Sequence, residues 1–347
     1  MLSTGRYWSS GLCLIVGTLV GCGSAEVPEY SASAAVRELS PELQKSIHDE
    51  LVKHAGTFLA PKLLVESGEQ GPSLARGQAV YQERCVQCHG VSGDGDGPVG
   101  KYMYPRPRDY RKGVFKFIST PYGNRPLRED LVRTIRRGVR GTSMPSFPLL
   151  PNDDLQAVVD YVMMLTRRGE LEVQLLVTAD SEGEIDPEVV ETELVPAVMG
   201  QWLESESREV SPLTPQPRFT EEHVERGKKA FLSQGCSKCH GEDGRGQAQD
   251  EKWTDGWGHA TRAADITSGM LHGGDRPLDI YRRIYNGING TPMPSFSSVF
   301  EKEPDTIWDL VAFVLATSNG RRSGEVPPPS PIRPYVPVAA PAAEPAK

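Results

Sequence analysis

Two short runs carry the chemistry of this chain: Cys85-Val-Gln-Cys88-His89 and Cys236-Ser-Lys-Cys239-His240. C-x-x-C-H is the spacing at which two thiols add to the vinyl groups of one haem c. The adjacent imidazole then takes the iron from the proximal side. Two intervening residues set the thiols about one helical turn apart, close to the separation of two vinyl carbons on a porphyrin edge. Two copies predict two covalent haems, attached through Cys85, Cys88, Cys236 and Cys239, with iron on His89 and His240.

Each run has a second half. Gly141-Thr142-Ser143-Met144-Pro145-Ser146-Phe147 follows the first, and Gly290-Thr291-Pro292-Met293-Pro294-Ser295-Phe296 follows the second. The His-to-Met separations are 55 and 53 residues. A thioether is a soft distal ligand that closes the sixth iron position and raises the haem potential. Met144 and Met293 are the expected distal ligands, and the proline after each stiffens the loop holding the sulfur. Pooling the four cysteines into one zinc site would leave both histidines and both Met-Pro loops unexplained. A disulfide inside either motif would close too small a loop to stabilise much. Asp94 and Asp96 alternate with glycines after the first motif, but a calcium loop needs more oxygen ligands and a terminal Glu.

The elements that must position these residues are legible as helices. Gly77 and Tyr81 precede the first motif, and Gly227 and Phe231 precede the second, at the same spacing. A glycine lets two helices approach closely, and an aromatic residue one turn on fills the crossing. The partner helices are expected over 153–168, with Leu155, Val158, Val159, Val162 and Leu165 on one face, and over 305–317, with Ile307, Leu310, Val311, Val314 and Leu315. Tyr161 and Phe313 are the candidate partner aromatics. Arg125-Pro126-Leu127 and Arg276-Pro277-Leu278 each lead into a further helix that ends at a Gly-rich turn. Duplication of one domain is the simplest account.

Both halves resemble class I cytochrome c domains, over about residues 73–169 and 217–322. The resemblance implies a mainly α fold: two cytochrome c-like helical domains in tandem joined by an acidic linker. It implies an electron carrier with no substrate bond made or broken, and redox proteins as donor and acceptor. Dihaem peroxidases also pair two such domains, but their reacting haem needs a releasable distal site, for which His259 and His272 are the spare histidines. The tandem also resembles the dihaem subunit of cbb3-type oxidases. Pro107-Arg108-Asp109-Tyr110 with the Met-Pro loop resembles cytochromes that accompany periplasmic dehydrogenases or terminal oxidases.

The chain opens with Arg6 and an apolar run from Gly11 to Val20, too short to span a bilayer and laid out like a signal-peptide core. Leu19-Val20-Gly21-Cys22 resembles the lipobox of bacterial lipoproteins. That implies cleavage after residue 21, acylation of Cys22 and a protein tethered to the periplasmic side of a bacterial membrane. Cys13 would be discarded with the signal. Residues 22–72 read as a tether over 25–39 followed by a short helix, with Ser40 as its N-cap and Leu43, Ile47 and Leu51 on one face. His48 and His54 on that helix read as solvated.

Charge is unevenly spread along a chain of net charge −8, and no nucleic-acid partner is expected. Residues 73–169 hold 16 Lys and Arg against 9 Asp and Glu; residues 170–211 hold 12 acids and one Arg; 217–322 is near balance, with 14 basic and 15 acidic residues. Leu171, Val173, Leu175 and Val177 alternate like a short strand, and the remainder of 170–216 reads as an extended linker. The Pro-rich tail, 323–347, lacks any hydrophobic period. Arg106, Arg108, Arg111, Lys112, Lys116, Arg133, Arg136, Arg137 and Arg140 surround the first site. They could steer an acidic partner, neutralise haem propionates, or be covered by the acidic segment.

Overall fold

A computed structural model describes residues 27–64, 74–246 and 253–322. The expected signal, the lipobox-like run with Cys22 and the Pro-rich tail lie outside the described residues. Helices α1 (Ala34–Arg37) and α2 (Pro41–Ala55) come first, followed by α3 (Leu74–Arg84) and α4 (Val86–His89). The first domain continues through α5 (Arg128–Arg137) and α6 (Asn152–Glu182). Next come α7 (Pro187–Val189), a π-helical turn at Val190–Leu194 and α8 (Val195–Glu206). The second domain repeats the plan with α9 (Glu221–Ser233), α10 (Ser237–His240), α11 (Pro277–Asn286), α12 (Ser297–Phe300) and α13 (Thr306–Arg322). A two-stranded antiparallel pair, β1 (Trp253–Thr254) and β2 (Ala260–Thr261), sits between α10 and α11.

In each domain the first and last helices cross at the expected glycine. A Cβ on Gly77 would stand 2.0 Å from the Ala157 carbonyl oxygen, and one on Gly227 would stand 2.0 Å from that of Asp309. No side chain fits either crossing. One turn on, Tyr81 packs on Tyr161 with ring centroids 5.2 Å apart, and Phe231 packs on Phe313 at 5.1 Å. The expected stripe on α6 is buried throughout. On α13, Ile307, Leu310, Val311 and Val314 are buried, with Leu315 packed at the core edge. Each domain thus has its own core.

The acidic segment is not an extended linker, and Leu171–Val177 is not a strand. Helix α6 runs through Arg167-Arg168-Gly169-Glu170 without a break. Its buried charges are partnered: Arg168 pairs with Glu172 at 3.5 Å, Arg125 reaches Glu170, and the Trp202 Nε1–H donates to Glu170 Oε2 at 2.7 Å. Gly169 admits the Arg111 backbone against the helix. Leu171, Leu175 and Ala179 then bury with Val36, Ile47, Leu51, Val190, Val198, Met199 and Trp202 in a third core. Period 2 and a four-residue helical period coincide at Leu171 and Leu175, and the helical one governs; Val177 is exposed.

The stretch read as a tether is also built in. The Tyr30 hydroxyl lies 3.0 Å from that of Tyr161, the Ser31 N–H donates to Ser92 Oγ at 2.8 Å, and the Ser33 N–H donates to Glu172 at 2.8 Å. Ser40 caps α2 as expected. His54 is not solvated: it is half-buried, and its Nε2 lies 3.3 Å from Glu50, whereas His48 is exposed. Among the described residues no helix is long and apolar enough to cross a membrane.

Candidate haem sites and the contact between them

Each C-x-x-C-H run folds as one helical turn, α4 or α10, closed by a glycine at positive φ. The turn directs one histidine nitrogen to a fixed acceptor. His89 Nδ1 lies 3.3 Å from the Arg108 carbonyl, and His240 Nδ1 lies 3.0 Å from the Ala264 carbonyl. A donor hydrogen bond at Nδ1 fixes the tautomer that leaves Nε2 with a lone pair for a metal. Burial lowers the pKa of both imidazoles, which keeps them neutral as iron ligation requires.

The sulfur environment is compatible with haem attachment. Burial pushes the Cys85 thiol up to about 12 and also raises Cys88 and Cys236. Such partly buried, uncharged surroundings suit a thioether. All four cysteines are unbridged. Among the described residues no cluster of three or more His, Cys, Asp or Glu is set to hold a metal ion. Asp94 and Asp96 serve the backbone instead: the Asp96 N–H donates to Asp94 at 2.9 Å, and Arg106 pairs with Asp96 at 3.1 Å.

The Met loops superpose in their bonding. Helices α5 and α11 end at Gly138 and Gly287, both at positive φ. A Cβ on either would stand 2.5 Å from the carbonyl carbon of Pro145 or Pro294, the residue after the methionine. Only glycine lets the loop fold back there. The Val139 N–H donates to the Met144 carbonyl at 3.2 Å, and the Ile288 N–H donates to that of Met293 at 3.1 Å. Thr142 and Thr291 hydroxyl oxygens accept from the Met144 and Met293 N–H groups, each at 3.2 Å. Both methionines are half-buried. Asp130 anchors the start of α5 by accepting from the Leu127 N–H at 3.0 Å and from Ser119. The residue types, the neutral buried sulfurs, the oriented imidazoles and the paired Met loops all fit haem c at both positions.

The two domains meet through the basic segment. Asp255 pairs with Arg108 at 3.6 Å and Lys116 at 3.9 Å; Arg137 pairs with Asp279 at 3.2 Å, and Arg140 with Asp275. The Arg283 guanidinium donates to the Lys116 and Ile118 carbonyls, and the Asn286 amide to the Thr120 carbonyl at 3.0 Å. His272 packs on Gly141 at the head of the first Met loop, where a Cβ would stand 3.1 Å from its ring. His259 is exposed, and its backbone N–H donates to Asp255. The sequence left Arg108, Lys116, Arg137 and Arg140 open to steering a partner, neutralising propionates or lying under the acidic segment; it did not offer the second domain as their partner. It missed the complementary acids because Asp255, Asp275 and Asp279 are scattered over a near-neutral domain.

Residues 72–162 match the family described as cytochrome c oxidase, cbb3-type, subunit III, and residues 224–318 match cytochrome c. No curated protein matches the chain. A solved structure, titled "Kuenenia stuttgartiensis reducing HAO-like protein complex Kustc0457/Kustc0458", contains a chain similar to this one. The two are 31% identical over 70% of this chain and 95% of that one, with a TM-score of 0.54. Two cytochrome c domains in tandem, each with its attachment turn and Met loop, place this chain among the dihaem c-type cytochromes, with two covalently bound haem c groups.

Proposed function

We propose that this protein is a membrane-tethered dihaem carrier that moves single electrons between redox partner proteins on the periplasmic side of a bacterial membrane. The observation that supports it best is the matched pair of complete sites: His89 with Met144, and His240 with Met293, each on the same local scaffold. In this reading Cys85 and Cys88 attach the first haem and Cys236 and Cys239 the second. A haem supplies a one-electron Fe(III)/Fe(II) couple. The chain's part is to keep ligation the same in both states, so that little rearranges when the electron moves, and to keep the iron's surroundings dry. A Met loop of the same construction in both domains supports a closed distal position at each haem, and this disfavours a peroxidase.

Cys22 carries the proposed lipid tether. A Cys22→Ala protein should appear in the soluble fraction, whereas the parent chain should sediment with membranes after a salt wash. For the carrier role, the purified protein should hold two covalent low-spin haems that a small redox protein reduces and reoxidises. Rapid peroxide turnover by the same preparation would overturn it.

A second reading is that the carrier serves as a subunit of a larger redox assembly. It is supported by the similarity to a chain from a complex and by the match of the first domain to an oxidase subunit family. Co-purification of a stoichiometric multihaem or oxidase partner from membranes would select this reading over a freely diffusing carrier.

A further inference from the structure

We infer that Arg108, Asp109 and Trp257 form the bridge by which an electron crosses between the two haem domains. This deepens the carrier reading and rests on it. Electron tunnelling falls off exponentially with distance, and less steeply through bonded and hydrogen-bonded atoms than across gaps. A well-coupled path between the two sites is therefore one with few open contacts along it.

A continuous path of that kind starts at the first site. His89 Nδ1 meets the Arg108 carbonyl at 3.3 Å. One residue on, the Asp109 carbonyl accepts from the Trp257 Nε1–H at 2.9 Å. The Arg108 guanidinium also lies over the same indole, with its central carbon 3.6 Å from the ring centroid. The far edge of that indole presses on Gly290, where a Cβ would stand 2.3 Å from a ring carbon. Gly290 opens the second Met loop, three residues before Met293. The Gly256 N–H donates to the Gly290 carbonyl at 3.0 Å, which ties the Trp257 turn to that loop.

The indole thus joins the proximal side of the first site to the distal side of the second. Its position is fixed from both domains: Asp255, two residues earlier, holds Arg108 and Lys116, and Gly290 has no side chain to push the ring away. The other ion pairs across the contact, Arg137–Asp279 and Arg140–Asp275, involve no residue bonded to a proposed iron ligand. The step is a single electron leaving one Fe(II) and reducing the other Fe(III). No bond forms or breaks, no proton moves, and the direction follows the two potentials.

The test uses the full chain with both haems loaded and flash-reduced by less than one electron per molecule. Redistribution between haems appears as a concentration-independent phase, separate from the second-order uptake of the electron. Trp257→Leu should slow that phase several-fold while uptake, both potentials and the visible spectrum stay as in the parent. Trp257→Phe, which keeps a ring over Arg108 but loses the N–H, should slow it less. Arg137→Gln breaks an ion pair of the same contact outside the bridge and should leave it unchanged. A Trp257→Leu protein that redistributes at the parental rate overturns the bridge, as does an Arg137→Gln protein slowed equally. If Trp257→Leu does not mature with both haems, Trp257→Phe decides: a rate equal to the parent's overturns the hydrogen-bonded route. Failure of the parent chain to exchange electrons with any external protein would instead defeat the carrier reading, and the first-order phase would still report on the bridge.

Discussion

At the scale of single residues, the proposed distal ligands, Met144 and Met293, are the least redundant part of each site. Met144 and Met293 are held through backbone bonds on both sides of the sulfur-bearing side chain, so replacing either leaves its loop standing. Met144→Ala and Met293→Ala should each remove half of the thioether-to-iron band of the oxidised spectrum and lower one haem's potential, read by spectroelectrochemistry. Full retention of the band after either change would exclude that methionine as a ligand. Gly138 and Gly287 are predicted to matter almost as much. Both combine a positive φ with ψ near 180°, a region essentially closed to residues with a Cβ and costing about 1–3 kcal/mol, and an alanine Cβ would also strike the residue after the methionine. Gly138→Ala should therefore weaken the band at the first site and lower the melting temperature, with haem attachment intact. Candidate ligands could be named from the sequence because ligation demands particular atoms at particular spacings. The acceptors that orient the imidazoles, the Arg108 and Ala264 carbonyls, could not, since any residue type supplies a carbonyl.

At the scale of elements, the helices that cradle the sites followed from glycine and aromatic spacing, down to the Tyr81–Tyr161 and Phe231–Phe313 contacts. The acidic segment was misread because its charges looked solvated. Glu170 and Glu172 are buried instead, and burial raises the Glu170 pKa against the pull of Arg125 and Trp202. A helix can bury charge where a long-range partner waits, and pattern alone does not show the partner. The third core that results joins α2, α6 and α8, so residues 180–210 are structural support and not a detachable screen. Trp202→Ala should cost about 3–5 kcal/mol, the usual penalty for removing a buried aromatic. It also strips Glu170 of a hydrogen bond. Thermal unfolding followed by circular dichroism should show the loss, with both haem bands unaltered at low temperature. An unchanged melting curve would mean that this core adds nothing to the fold.

At the scale of the whole molecule, the basic surplus of the first domain is spent largely on contacts within the chain, and this changes what salt and pH should do. Arg108, Lys116, Arg137 and Arg140 face acids of the second domain, and Arg106, Arg111 and Arg133 face acids of their own. Exchange with an acidic partner should therefore fall only weakly with ionic strength, and Arg136→Glu, on an exposed residue outside the domain contact, should change it little. A steep salt dependence abolished by Arg136→Glu would restore the steering role. The pH response centres on Lys116, which is mostly buried at the domain contact. Burial, reinforced by the Arg108 charge, lowers its pKa from 10.5 to about 8, despite the opposing pull of Asp255. A depressed folded-state value means that between about 8 and 10.5 the unfolded chain binds more protons than the folded one. Stability then rises with pH across that window and is lost as pH falls through 8. Lys116→Gln removes the buried ammonium and leaves Asp255 its Arg108 partner. The variant should unfold at a higher denaturant concentration than the parent at pH 7, and the gap should close as the pH approaches the upper end of the window. A gap that stays constant from pH 7 to that point would show that Lys116 titrates at its ordinary value and that the domain contact is open to water.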